Sequence, residues 1–228
     1  VLLHQTTTSG FSNASVMNNY AFGFLGVDSG KNRYGFAGYF TADGNGNFTA
    51  GLLDSDDSST GVSASIPFVS GTYTVAANGR GTANIKTTQR TTAYSFYIVS
   101  SNELLFVETD TFTSGGFPLV SGTALSQSSV SLGATTVFEV TGLDPTGSVA
   151  QSQVGLFNAT PGATYTLTSD QNSGGTLTAP SGSGGYTVDS TTGRVAFTTG
   201  STGFQNSQPV LYLVTPNEAF IIGTDTSV

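Results

Sequence analysis

The sequence predicts an all-β protein: two tandem antiparallel meander modules, barrel- or sandwich-like, related by an internal repeat. Three observations predict it. Tyr97–Thr111 returns as Tyr212–Thr226, an offset of 115 residues with no gap. Short β-type runs are broken by turn chemistry about every 8–12 residues, and no segment carries a helical period. Only 9 % of residues are charged, against about 25 % in an ordinary globular domain. Solvation falls instead to 29 serines, 36 threonines and the turn residues around 30 glycines.

Earlier landmarks repeat as well. Phe22–Asp28 matches Phe138–Asp144, and Phe40-Thr41-Ala42 matches Phe157-Asn158-Ala159. Gly71–Val75 with Asn78-Gly79-Arg80 matches Gly184–Val188 with Thr192-Gly193-Arg194. A period of this kind means one β unit used twice. The expected modules are residues 1–122 and 123–228.

The strands follow in order. In the first module they are Leu2–Thr7, Asn19–Val27, Tyr34–Thr41, Asn47–Asp54, Ser70–Ala76, Gly81–Thr87, Ala93–Val99 and Leu104–Asp110. Asp43-Gly44-Asn45-Gly46-Asn47 and Asn78-Gly79 supply the positive-φ residues that tight hairpins need. In the second module the strands are Thr123–Ser128, Thr135–Leu143, Ser148–Ala159, Thr164–Ser169, Gly185–Val188, Val195–Thr199, Val210–Val214 and Ala219–Thr224. Asp144-Pro145-Thr146-Gly147 and Pro161-Gly162 make turns there, and the Ser/Gly stretches at 173–175 and 181–185 read as loops. One hairpin per module, Phe96–Val99 with Leu104–Val107 and Val210–Val214 with Ala219–Ile222, is apolar without alternation. Such a strand is covered on both faces. The cover is the hairpin's own sandwich, the other module, a loop or a partner chain.

Composition excludes several functions. With no cysteine there is no disulfide or thiolate metal site. A net charge of −8 and a pI of about 4.2 leave no basic patch for phosphates, so nucleic acid is not an expected partner. No apolar run approaches the ~18 residues of a membrane helix. The chain opens on Val1 and reads as a processed mature form or a piece of something longer.

Candidate chemical sites are weak. Asp43, Asn45 and Asn47 have the oxygen spacing of a calcium-loop opening. Phe48 stands where a glycine is needed, so a hairpin turn is the better reading. Asp54, Asp56 and Asp57 are the densest acidic cluster and read as a solvated loop sooner than as ligands for a hard cation. Asp28 and Asp225 sit in Asp-Ser and Asp-Thr steps like those of aspartic proteases. The repeat pairs Asp28 with Asp144 and Asp225 with Asp110, so the two aspartates need not meet. Glu103 and Glu218 are repeat-equivalent but sit in tight turns, and His4 is the lone histidine, near a terminus. Nothing assembles a nucleophile, base and orienter. No catalytic residue, metal or cofactor is expected. Tyr20, Tyr39, Tyr73 and Tyr94 are candidates for a sugar platform and read better as core.

The pieces Tyr20–Phe24, Phe40–Asn47 and Gly71–Thr82 resemble a group of secreted tandem β-repeat proteins of acidobacteria-like soil bacteria. The resemblance covers most of both halves, more weakly the second, where Pro161-Gly162-Ala163 replaces the Asp-Gly-Asn-Gly turn. It implies surface location and tandem repetition, and carries over no catalytic residue.

The expected function is that of an extracellular or cell-surface structural protein, a subunit of a filament, sheath or adhesive layer that self-associates. The alternative is a carbohydrate- or small-ligand-binding module. Val1-Leu2-Leu3-His4-Gln5 aligns with Thr123-Ala124-Leu125-Ser126-Gln127, so the chain begins with a strand that its second module lacks. Head-to-tail strand complementation follows as an expectation. Val1, Leu2, Leu3 and Gln5 are the donor, and Phe220 and Ile222 lie on the accepting edge.

Overall fold

A computed structural model of the chain describes residues 2–7, 10–111, 118–128, 130–133, 135–143, 149–160, 162–204 and 208–224. The first module is a closed barrel of eight antiparallel strands in sequence order: β1 (Met17–Val27), β2 (Arg33–Asp43), β3 (Phe48–Asp57), β4 (Gly61–Val75), β5 (Arg80–Thr87), β6 (Thr91–Ser100), β7 (Glu103–Glu108) and β8 (Leu119–Ser126). β8 returns to pair with β1 and seals it. The barrel is filled. Period-two alternation turns Tyr20, Phe22 and Phe24 of β1 inward, where they meet Phe40, Phe96 and Phe106. Ring centroids lie 4.9 Å apart in the Phe96–Phe106 stack. Gly81 makes room for it, since a Cβ there would sit 2.1 Å from Phe96 Cζ.

The second module comprises β9 (Thr135–Leu143), β10 (Ala150–Thr160), β11 (Thr164–Ser173), β12 (Thr176–Thr178), β13 (Ser181–Val188), β14 (Arg194–Phe197), β15 (Val210–Thr215) and β16 (Glu218–Ile222). The sheet runs β16-β15-β14-β13-β11-β10-β9, with the short β12 pairing β11 beside this path. It curls around Phe157, Tyr165, Leu167, Phe204 and Leu213. Among the described residues no ladder joins β9 to β16, so the barrel-like sheet has a seam where β8 closes the first module. The continuous β4 is replaced by β12 and β13, with Ala179-Pro180 between them.

The internal repeat is carried in the pairing. Tyr97 of β6 lies between Arg80 and Leu105, and Tyr212 of β15 between Arg194 and Phe220. The hairpin tips agree too: Asn102 N–H donates to Ser100 Oγ and Asn217 N–H to Thr215 Oγ1, both at 3.2 Å.

The Ser/Gly stretch 181–185, expected as a loop, is instead the start of β13 and pairs with β11, its glycines fitting against Ser201 and Thr202. Three further expectations are corrected. Leu2–Thr7 is not a strand. Gln5 donates to the carbonyls of Ile98 (2.8 Å) and Asn78 (3.3 Å), and Thr6 N–H to Val99 O (3.0 Å), but no ladder forms. Thr123–Ser128 does not begin the second module. Most of it is β8, so a boundary between 122 and 123 falls inside the strand that seals the first barrel. The physical reason is the same in both cases: an apolar run becomes a strand only where neighbours take up its backbone groups. The third is β4, which begins at Gly61 rather than Ser70, because a bend at Ser65 (φ 53°) carries the ladder through a run without clear alternation.

Candidate functional site: the inter-module face

The two modules meet through strand faces that point away from their own cores. From the first come Ala21, Ala37, Tyr39 and Leu52 on β1–β3; from the second, Val210, Tyr212, Val214, Phe220 and Ile222 on β15–β16. The second hairpin's unbroken apolar pattern is thereby explained: Leu211 and Leu213 face their own core, and the alternate residues face the other module. Gly23 of β1 permits the close approach, since a Cβ there would lie 2.5 Å from Phe220 Cδ1.

At the centre of this face is Asp54 of β3, only 1 % exposed. Arg194 of β14 grips it with both arms of its fork, Nε to Oδ2 at 2.7 Å and Nη2 to Oδ1 at 2.9 Å. The Tyr212 hydroxyl donates to Oδ2 at 2.5 Å and Ser65 N–H to Oδ1 at 3.0 Å. Burial alone would raise the Asp54 carboxyl. The bonds from Arg194 and Tyr212 and the guanidinium charge outweigh it and hold the group below the usual carboxylate range. Burial beside this anion pushes the Tyr212 phenol upward, so it stays a donor.

The link between modules is pinned as well. Gln127, immediately after β8, donates to Leu213 O (2.6 Å) and Thr192 O (3.1 Å), and Ser128 N–H donates to Val214 O (2.8 Å). These are the bonds that Gln5 and Thr6 make to Ile98, Asn78 and Val99 of the first module. Gln5 and Gln127 are therefore structural equivalents.

The sequence-derived candidates distribute as follows. The Asp43 carboxylate accepts from Asn45 N–H (2.7 Å), Asn47 N–H (3.0 Å) and Asn47 Nδ2 (2.8 Å), holding its own hairpin turn. Asp57 likewise caps Ser59 and Thr60, while Asp54 faces the other module. Asp28 ties down its loop through Asn32 and Ser59; Asp225 lies outside the described residues. Glu103 is half-buried, and Glu218 and His4 are exposed. Tyr20, Tyr73 and Tyr94 are buried in the first barrel and Tyr39 beneath the second module, so none of the four offers a platform. Val1 lies outside the described residues. Leu2 and Leu3 are exposed, and are not brought to Phe220 and Ile222, which pack against the first barrel.

Sequence reasoning missed the Asp54–Arg194–Tyr212 group. Its signal was present in the non-alternating hairpin, but the partners lie 140 and 158 residues apart.

It also missed Glu108, at one end of the first barrel. This side chain is 3 % exposed, and among the described residues neither carboxylate oxygen has a hydrogen-bond partner. Nearby, Arg90 Nη2 donates to the Tyr34 hydroxyl at 2.7 Å with its guanidinium 5.4 Å from that ring's centre. Burial pushes Glu108 up to about 7, Asp110 adding to the effect and Arg90 opposing it. The folded state thus holds a proton that the unfolded chain releases near 4.5. Stability from this group is complete below that value and is lost as pH rises through about 7. Glu108→Gln is expected to flatten this slope and to raise stability above pH 7 by about 2 kcal/mol, read from urea melts across pH. An unchanged slope would contradict it.

Fold and face together define a two-module, barrel-like β-repeat protein whose modules dock through a shared apolar surface. Searches of family models, curated proteins and solved structures return no match to the chain. Among the described residues no helix is long and apolar enough to cross a membrane.

Proposed function

We propose that the chain is an extracellular or cell-surface structural protein, a self-associating subunit of a filament, sheath or adhesive layer. The observation that carries this reading is the inter-module face. Each module is a filled or nearly filled β unit, and the group built most completely between them is a docking contact. A hydroxyl-rich, charge-poor, cysteine-free surface and the resemblance to secreted tandem repeats support the location.

The rival reading, a small-ligand barrel, has one observation in its favour: a cavity lined by Phe22, Phe36, Phe68 and Arg90 in the first barrel. Its volume is about 30 Å³, room for a water. Ligand pockets run to roughly 300–1,000 Å³. A cavity of this size gives the ligand reading little support.

Negative-stain microscopy and light scattering over a concentration series test it. Ordered polymers or sheets are expected at high concentration. Discrete particles of one 23.3 kDa mass at every concentration would overturn the reading.

A further inference from the structure

The contact between the modules uses one face of each, and each module carries both faces. The docking face of the second module is β14–β16, with Arg194, Tyr212, Val214 and Phe220. Its counterpart in the first is β5–β7. Arg80 sits opposite Tyr97 just as Arg194 sits opposite Tyr212, and Leu105 opposite Tyr97 as Phe220 opposite Tyr212. The accepting face of the first module is β1–β3, where Asp54 lies opposite Ala37 and Leu52 opposite Tyr39. In the second, Asp170 lies opposite Val154 and Thr168 opposite Leu156.

Within the chain one face of each module is used and the other is left open. Arg80 and Asp170 are exposed, and Arg80 donates to Ser95 Oγ of its own sheet at 3.1 Å. Tyr97 is 51 % exposed where its equivalent Tyr212 is fully buried. Val154 and Leu156 are 50 % and 49 % exposed where Ala37 and Tyr39 are covered. Exposed apolar side chains clustered beside a charged group, on a surface with so few charges, mark a contact site.

We infer that the occupant of each open face is a second copy of this chain. The β5–β7 face of one copy docks on the β9–β11 face of the next, with Arg80 forking Asp170 and the Tyr97 hydroxyl donating to it. The in-chain contact is the template, and the charges match it in sign and position. The linker agrees. Gln127 anchors the second module directly after β8, which seals the first barrel. Gln5 anchors the first module in the same way, so Leu2 and Leu3 fall at the neighbour's β9–β16 seam, in the place of Ala124 and Leu125. Several pairs are altered: Phe220 over Gly23 becomes Leu105 over Glu139, a shorter side chain over a longer, charged one, and Val210, Tyr39 and Leu52 are replaced by Ser95, Leu156 and Thr168. The contact between copies is accordingly weaker than the one within the chain. Because the two open faces differ and lie on different modules, the contact is head-to-tail, and unless its rotation closes a ring it generates an open polymer.

This inference rests on the self-association reading, and the experiment separates the two. Sedimentation velocity of the 228-residue chain over a concentration series is compared with that of Arg80→Glu, Asp170→Arg and the double variant. Both positions are exposed, and circular dichroism checks that each variant is folded. The unsubstituted chain is expected to grow beyond a dimer without a plateau. Each single variant weakens association about 30-fold or more, and the double variant restores it. Association that ignores both single changes, or a double variant no better than the singles, overturns the Arg80–Asp170 contact while self-association stands. No association at any concentration overturns both.

Discussion

Asp54→Ala is expected to cost the folded chain about 3–5 kcal/mol, because it leaves a half-buried guanidinium and a buried phenol facing each other with no acceptor. Arg194 is 19 % exposed at its side chain and Tyr212 fully buried, so water cannot replace the lost carboxylate without opening the contact. The expected signature is a loss of cooperativity as well as of stability. The first barrel is closed and keeps its own core, so the second module melts first and the urea transition splits in two, as followed by near-ultraviolet tyrosine signals. Replacing the pair together, Asp54→Leu with Arg194→Met, is expected to restore most of the loss, since apolar groups of similar size remove the buried charges. A single unshifted transition for Asp54→Ala would show that the ion pair does not hold the modules together. Acid should mimic the substitution. The Asp54 carboxyl is lowered in the folded state, so its contribution is complete above the ordinary value of 3.8 and lost as pH falls below it.

Tyr212→Ala and Tyr97→Ala are expected to differ sharply although the two tyrosines are repeat equivalents. Tyr212 is buried between modules, and its removal leaves a ring-sized cavity and an unpaired Asp54 lone pair. A cost of about 3–5 kcal/mol follows from large-to-small changes in packed cores. Tyr97 occupies the same ladder position on an open face, so its removal changes the stability of a dilute chain by no more than about 0.5 kcal/mol. Thermal melts of the two variants at low concentration check this. Equal costs would mean that Tyr97 is covered in the isolated chain.

These contrasts bear on what the sequence discloses. The repeat was legible because turns and core residues recur at nearly fixed spacing, and Tyr97 with Tyr212 marks the same ladder position in each module. The hairpin turns were legible because Asp43, Gly44 and Gly46 have a local mechanism. The phase of the repeat was not. Whether Thr123-Ala124-Leu125 ends the first barrel or begins the second depends on pairing with Glu103 and Phe22, which no local pattern reports. Nor does periodicity say what covers an outward apolar face. Val210, Tyr212 and Val214 have the pattern of Ser95, Tyr97 and Val99, yet one set is buried by the other module and the other is open. Asp54 shows the limit most plainly. In the sequence it belongs to an acidic cluster with Asp56 and Asp57; in the fold, strand alternation carries it to a partner 140 residues away.

The central claim is that the contact joining the two modules also joins chains. It is tested most directly by mixing Arg80→Glu with Asp170→Arg. Alone, each variant sets like charges against each other at every chain-to-chain contact and should sediment as a monomer. Mixed in equal amounts, the Arg80 kept by one variant meets the Asp170 kept by the other. At the next contact the two substituted positions meet, an introduced carboxylate against an introduced guanidinium, so every junction is matched. The mixture should therefore polymerise in strict alternation, at concentrations where neither component does. A mixture that stays monomeric, or single variants that polymerise like the unsubstituted chain, would contradict the claim.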